Sequence, residues 1–98
     1  MENAVYHVPA LLEETIELLE INPDGVYVDL TFGGGGHSRA ILERLSDKGR
    51  LFAFDQDNDA RVNVPDDERI TFVESNFRFM RGALRWRGVE QVDGILAD

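Results

Sequence analysis

The apolar positions change their spacing several times along the chain, and each change predicts an element. In residues 10–20, ALLEETIELLE, Leu12, Ile16 and Leu19 recur at helical spacing with glutamates between them. Pro9 suits the start of that helix, because its missing N–H would have no partner there in any case. Asn22-Pro23-Asp24-Gly25 is a stop-and-turn signal. Residues 26–32, VYVDLTF, are β-branched and aromatic and predict a strand. Four glycines, Gly33 to Gly36, interrupt it. Residues 37–49, HSRAILERLSDKG, predict a helix with Ile41, Leu42 and Leu45 on one face and Gly49 as its C′ residue. RLFAFD (50–55) and ITFVES (70–75) predict two more strands, separated by a polar stretch that Pro65 limits to a short helix and a loop. NFRFMRGALRWRG (76–88) predicts a helix despite Gly82, and VDGILAD (92–98) begins a fourth strand.

Strands alternating with helices predict an α/β fold with a parallel sheet and right-handed crossovers. The strands are apolar nearly throughout, as strands buried on both faces should be. There is no internal repeat. The glycine run is no linker, because its flanks read as partners in one βαβ unit. The chain stops inside a strand with no following helix, so residues 1–98 are expected to be the front part of a larger domain.

Composition narrows the chemistry. At 43% hydrophobic and 30% charged, the chain has the balance of a soluble globular protein. Without cysteine, disulfides and thiolate metal sites are excluded, and the two histidines lack a ligand-spaced carboxylate cluster, so no metal is expected. No stretch approaches the roughly 20 apolar residues of a membrane span. The first residues carry an acid and no basic segment, which argues against a secretory signal and for a cytoplasmic protein without a membrane partner. The net charge of −9 speaks against a broad nucleic-acid surface. Yet nine of the ten basic residues are arginines, and four lie between Arg78 and Arg87.

The glycine run is the strongest chemical signal. A Gly-rich turn from the first strand into a helix lets a ligand approach the backbone and leaves N–H groups free at the helix start. A phosphate loop needs Lys then Ser/Thr after its last glycine, whereas His37-Ser38-Arg39 follows here. The dinucleotide fingerprint, started at Gly33 and Gly35, would need Gly or Ala where Ser38 stands, so the match is partial. Asp55, at the end of the second strand, can accept from both hydroxyls of an adenosine ribose, which suits NAD and S-adenosylmethionine alike. Asp29, beside the loop, would repel a pyrophosphate but suit the cationic amino or sulfonium group of S-adenosylmethionine; its plainer role is to cap local backbone groups.

At YHVPALLEE, DGVYVDLTFGGGGHSRAIL, GRLFAFDQD, NFR and VDGILAD the chain resembles the N-terminal part of the bacterial 16S ribosomal RNA (cytosine-N4)-methyltransferases of the MraW/RsmH type, with the motifs in order over nearly its whole length. The resemblance implies a partial Rossmann-like class I S-adenosylmethionine-dependent methyltransferase fold. Its parallel sheet of about four strands would run in the order 3-2-1-4, flanked by helices. It implies methyl transfer to a cytosine N4 amine in the decoding centre of the small ribosomal subunit, with S-adenosylmethionine as cofactor. Carried over by motif, Gly35, Gly36 and His37 would meet the methionine end of the cofactor, Asp55 the ribose, and Phe77 the adenine region, with Gly33 a further cofactor-binding candidate of the same loop. Asp98 would face the cofactor and the target amine, where it is the candidate catalytic acceptor. The family's continuation, with its remaining strands and most of the RNA surface, is absent. The isolated chain is therefore expected to be inactive and weak in cofactor binding, and prone to self-association through an exposed sheet edge.

Arg78, Arg81 and Arg85 fall on one face of the last predicted helix, opposite Phe77, Met80, Ala83 and Leu84. They read either as a solvated face or as contacts to RNA phosphates. Two other classes compete with the methyltransferase. A nicotinamide-dependent oxidoreductase is opposed by Ser38 and Asp29, and a non-catalytic module with a decayed site is opposed by the intact Gly35-Gly36-His37 and Asp55 set.

Overall fold

The computed structural model describes residues 12–33 and 35–97. Residues 12–19 are helical (α1), followed by β1 (Val26–Asp29), α2 (Gly36–Arg44), β2 (Arg50–Asp55), a 3-10 helix (Asn58–Asn63), β3 (Ile70–Glu74), a short 3-10 turn (Phe77–Phe79), α3 (Met80–Trp86) and β4 (Gly94–Leu96). The four strands form one parallel sheet in the order β3-β2-β1-β4, as expected. Val28 pairs with Phe52 on one side and Ile95 on the other. Pro9 and Asp98 lie outside the described residues.

The sheet is covered on both faces. On one, Tyr27, Leu51, Ala53, Ile70 and Leu96 pack against Ile16 of α1 and Ile41 and Leu42 of α2. On the other, Val28, Phe52, Phe54 and Val73 pack against Leu84 of α3, with Met80 and Ala83 beside it. Alternate residues of each strand thus serve opposite layers, so the strands contain few polar positions. Ile41, Leu42 and Leu45 are buried together, as their spacing predicts.

Three boundaries differ from the sequence reading. β1 ends at Asp29 rather than Phe32, because the Asp29 carboxylate takes the N–H of Thr31 and turns the chain. Helix α2 ends at Arg44, and Leu45 is already extended. Gly49 is therefore no helix cap. It is a close-approach position, where a Cβ would lie 2.6 Å from the Pro23 carbonyl oxygen. The last helix begins at Met80, because Asn76 first holds a 3-10 turn: its side chain accepts from the N–H of Arg78 and its carbonyl from that of Phe79.

Candidate functional site

The site is built at the carboxyl ends of β1, β2 and β3, where ligands of open α/β sheets bind. Asp29 closes β1 and is fully buried. One of its oxygens accepts from the N–H of Thr31 at 2.8 Å and from the Thr31 hydroxyl at 2.7 Å. The other accepts from the Ser38 hydroxyl at 2.7 Å. Such burial is tolerable only with donors in place, and among the described residues no buried side-chain polar atom lacks a partner. Ser38 is itself fully buried, so this bond ties the first turn of α2 to the end of β1.

Gly33 and Gly35 have φ of 44° and 89°, the left-handed region that side chains disfavour. A Cβ on Gly35 would also lie 2.9 Å from the Arg39 guanidinium and 3.0 Å from the Asn63 carbonyl oxygen. Gly36 opens α2 with clear space where its Cβ would be. Gly35 is the N-cap of α2 and supplies no side-chain acceptor to the first-turn N–H groups. His37, half-buried in that turn, brings Nδ1 to 3.4 Å from the Thr31 hydroxyl oxygen.

Asp55 closes β2. One carboxylate oxygen accepts from the N–H of Gly33 at 3.1 Å and the other from the N–H of Asp57 at 2.9 Å. Asn63, at the end of the 3-10 helix, donates its amide to the Gly33 carbonyl at 3.0 Å, while its own carbonyl accepts from Arg39 at 3.2 Å. Gly33 is thus gripped at its N–H by one element and at its carbonyl by another. Thr31, Ser38 and Asn63 are the site residues that sequence reasoning missed as contacts. Only Ser38 had drawn notice, as a departure from a fingerprint, and Asn63 lay in an undistinguished polar stretch.

A cleft of about 280 Å3 opens here, lined by Leu30, Thr31, Gly33, Asp55, Gln56 and Ser75 among others. A groove of about 350 Å3 between α1 and α2 is larger but does not reach the strand ends. The structure therefore brings Asp29, Gly33, Gly35, Gly36, His37 and Asp55 to one end of the sheet. Phe77 begins the turn that follows Ser75 of the cleft. Asp98 lies outside the described residues. Arg78 sits in the 3-10 turn and Arg81 and Arg85 on α3; all three are exposed, and among the described residues none is ion-paired. No group of side chains able to hold a metal ion occurs among the described residues, and no described helix is long and apolar enough to cross a membrane.

Residues 4–98 match the profile of the MraW methylase family. Over 97 residues the chain is 61% identical to the ribosomal RNA small subunit methyltransferase H of Porphyromonas gingivalis, covering 99% of this chain and 31% of that protein. The proteins of the same name from Bacteroides fragilis (57% over 97 residues) and Flavobacterium johnsoniae (59% over 93 residues) are covered to 32% and 31% of their lengths, and cover 99% and 95% of this chain. The chain thus spans about a third of the length of these relatives. Among solved structures, one provisionally described as an rRNA-methylase from Clostridium thermocellum superposes with a TM-score of 0.65 at 20% identity, covering 74% of this chain and 43% of that one. A cyclopropane-fatty-acyl-phospholipid synthase-like protein from Lactobacillus casei gives 0.56 at 14% identity, with 86% and 37% covered. Both likenesses concern the fold alone.

Proposed function

The chain belongs to the MraW methylase family, and from that premise we propose that it forms the cofactor-binding portion of an S-adenosylmethionine-dependent methyltransferase whose target is the N4 amine of a cytosine in the decoding centre of 16S ribosomal RNA. The relatives' shared name supports a small-subunit ribosomal RNA substrate. The observation that carries the cofactor assignment is Asp55 at the end of β2, hydrogen-bonded to left-handed Gly33 beside the cleft. A strand-end carboxylate beside a side-chain-free bend fits a ribose diol. In this reading the uncapped start of α2, at Gly36 and His37, receives the cofactor carboxylate. Asp29 acts mainly through the loop it braces and adds negative potential near the cationic end. Phe77 lies toward the adenine.

When bound, the cofactor supplies a methyl group already activated by its sulfonium. The protein's part is to position the amine in line with it and exclude competing geometries. A cytosine amine is a poor nucleophile, because its lone pair is delocalised into the ring. Asp98 accepts from its N–H groups, orients them and helps to receive the developing charge. Arg78, Arg81 and Arg85 supply phosphate contacts. β4 is an edge of the four-stranded sheet, with Ile95 42% exposed. We assign self-association of the isolated chain to that edge, and expect the isolated chain to bind cofactor weakly and to transfer no methyl group.

Calorimetry with S-adenosylhomocysteine and with NADH tests the assignment. Saturable binding of the first alone is expected, weakened by Asp55→Ala. Preference for NADH would favour an oxidoreductase, and binding of neither would overturn the cofactor reading.

A further inference from the structure

The segment 77–88 holds four arginines and no acid, in a chain whose net charge is −9. Its exposed residues form two adjacent rows. Arg78, Arg81 and Arg85 are spaced i, i+3, i+7, and so are Phe79, Gly82 and Trp86. On α3, at 3.6 residues per turn, Arg81 and Arg85 run beside Gly82 and Trp86 with Leu84 buried behind them, and Arg78 and Phe79 lead in from the preceding 3-10 turn. The aromatic row is unusually open: Phe79 is 61% and Trp86 83% exposed. The Arg87 guanidinium lies 5.3 Å from the Trp86 ring centroid and donates to the Ala83 carbonyl at 3.0 Å, which holds a cation against the ring.

Gly82 sits between Phe79 and Trp86. A glycine inside a helix costs about 1 kcal/mol relative to alanine. Packing does not demand it, since a Cβ there would meet no atom within 4 Å. The gap leaves a bare floor between the rings, beside the arginines.

A ligand matching this face carries repeated negative charge and flat apolar surfaces at once. A duplex offers phosphates but hides its base faces, whereas a single strand offers both. We propose that the Phe79–Arg87 face is a binding surface for single-stranded RNA, with phosphates on the arginine row and bases on Phe79 and Trp86. This deepens the ribosomal RNA methyltransferase reading and rests on it for the choice of RNA over other polyanions.

Trp86 is the only tryptophan of the chain, so its fluorescence reports on this face alone. The chain is titrated with an unstructured RNA of about 12 nucleotides, a hairpin of the same composition, heparin, and phosphatidylglycerol vesicles. The single strand is expected to quench Trp86 and to bind roughly tenfold more tightly than the hairpin, since stacking adds to the charge contacts. By labelled-RNA anisotropy, Trp86→Ala and Gly82→Gln are expected to weaken the single strand several-fold and leave heparin unaffected. Arg78→Glu/Arg81→Glu/Arg85→Glu should weaken both and flatten the salt dependence. Equal affinity for strand and hairpin, quenching by heparin as strong as by RNA, a response to vesicles alone, or no RNA binding would each overturn the proposal. S-adenosylhomocysteine affinity measured in parallel separates the two readings: cofactor binding without Trp86 quenching sinks this surface alone, and quenching without cofactor binding sinks only the methyltransferase assignment.

Discussion

The backbone N–H of Gly33 donates to the Asp55 carboxylate at 3.1 Å, across the ends of two neighbouring strands. The residue expected to hold the ribose is therefore also the residue that sets the glycine loop. A ligand donating hydrogen bonds to Asp55 meets a loop whose position already depends on that carboxylate.

Asp55→Asn separates charge from shape. The amide keeps one acceptor oxygen for two N–H groups, those of Gly33 and Asp57, so one of them is left facing an NH2 group. A hydrogen bond to a charged group contributes about 1.5–3 kcal/mol. Affinity for S-adenosylhomocysteine is expected to fall about 10–100-fold, with only a few degrees lost in thermal midpoint. An unchanged affinity would leave Asp55 as a loop brace and nothing more.

Asn63 holds the other side of the same glycine. Asn63→Asp keeps the size but sets a carboxylate against the Gly33 carbonyl. The bond contributes about 1 kcal/mol, and ligand affinity should drop several-fold through the freed loop, although Asn63 does not line the cleft. Lowering the pH toward 4 should restore part of that affinity relative to the parent chain, because a protonated carboxyl donates again. Equal affinities at both pH values would remove Asn63 from the site.

These contacts also show what the sequence could and could not reveal. Buried parallel strands are apolar runs, so four strands and their helices were legible, and the resemblance supplied the strand order. Asp55 and the glycines were legible because backbone conformation and strand-end position restrict residue type. Helix ends were not. Arg44 ends α2 because Ser46 donates its N–H to the Pro23 carbonyl and its hydroxyl to Asp24, more than twenty residues away. No local pattern records such a partner. The same holds for Asn63, whose role depends on meeting a glycine thirty positions earlier.

The Asp29–Ser38 bond predicts an ordered series. Ser38→Ala leaves a buried carboxylate oxygen without its donor, at a cost of about 1–3 kcal/mol. Asp29→Asn should cost less than Asp29→Ala, because the amide can accept from Thr31 and donate to the Ser38 oxygen. In urea unfolding the alanine variants should share much of their loss, so that the double mutant costs clearly less than the sum. Simple additivity would mean that the two side chains do not act as one unit.

Far from the cleft, Arg69 grips Asp67 through two nitrogens, at 2.9 and 2.7 Å, and donates a third to the Leu45 carbonyl at 2.6 Å. It therefore joins the chain entering β3 to the end of α2. The hydrogen bonds from the Arg69 side chain and then from its N–H lower the Asp67 carboxyl from its ordinary 3.8 to about 2. The folded state thus prefers ionised Asp67, and the stability this adds is complete above the ordinary value. It is lost as the pH falls through about 2. Asp67→Asn should consequently flatten the stability curve between those limits while costing about 1 kcal/mol or less near neutral pH, as expected for a partly exposed pair. Arg69→Ala should flatten it only in part, because the backbone N–H of residue 69 still donates to Asp67, and should cost more near neutral pH, since the Leu45 carbonyl also loses its donor. Thermal unfolding followed from pH 7 downward checks both. A curve that keeps its acid slope in Asp67→Asn would place the titrating group elsewhere.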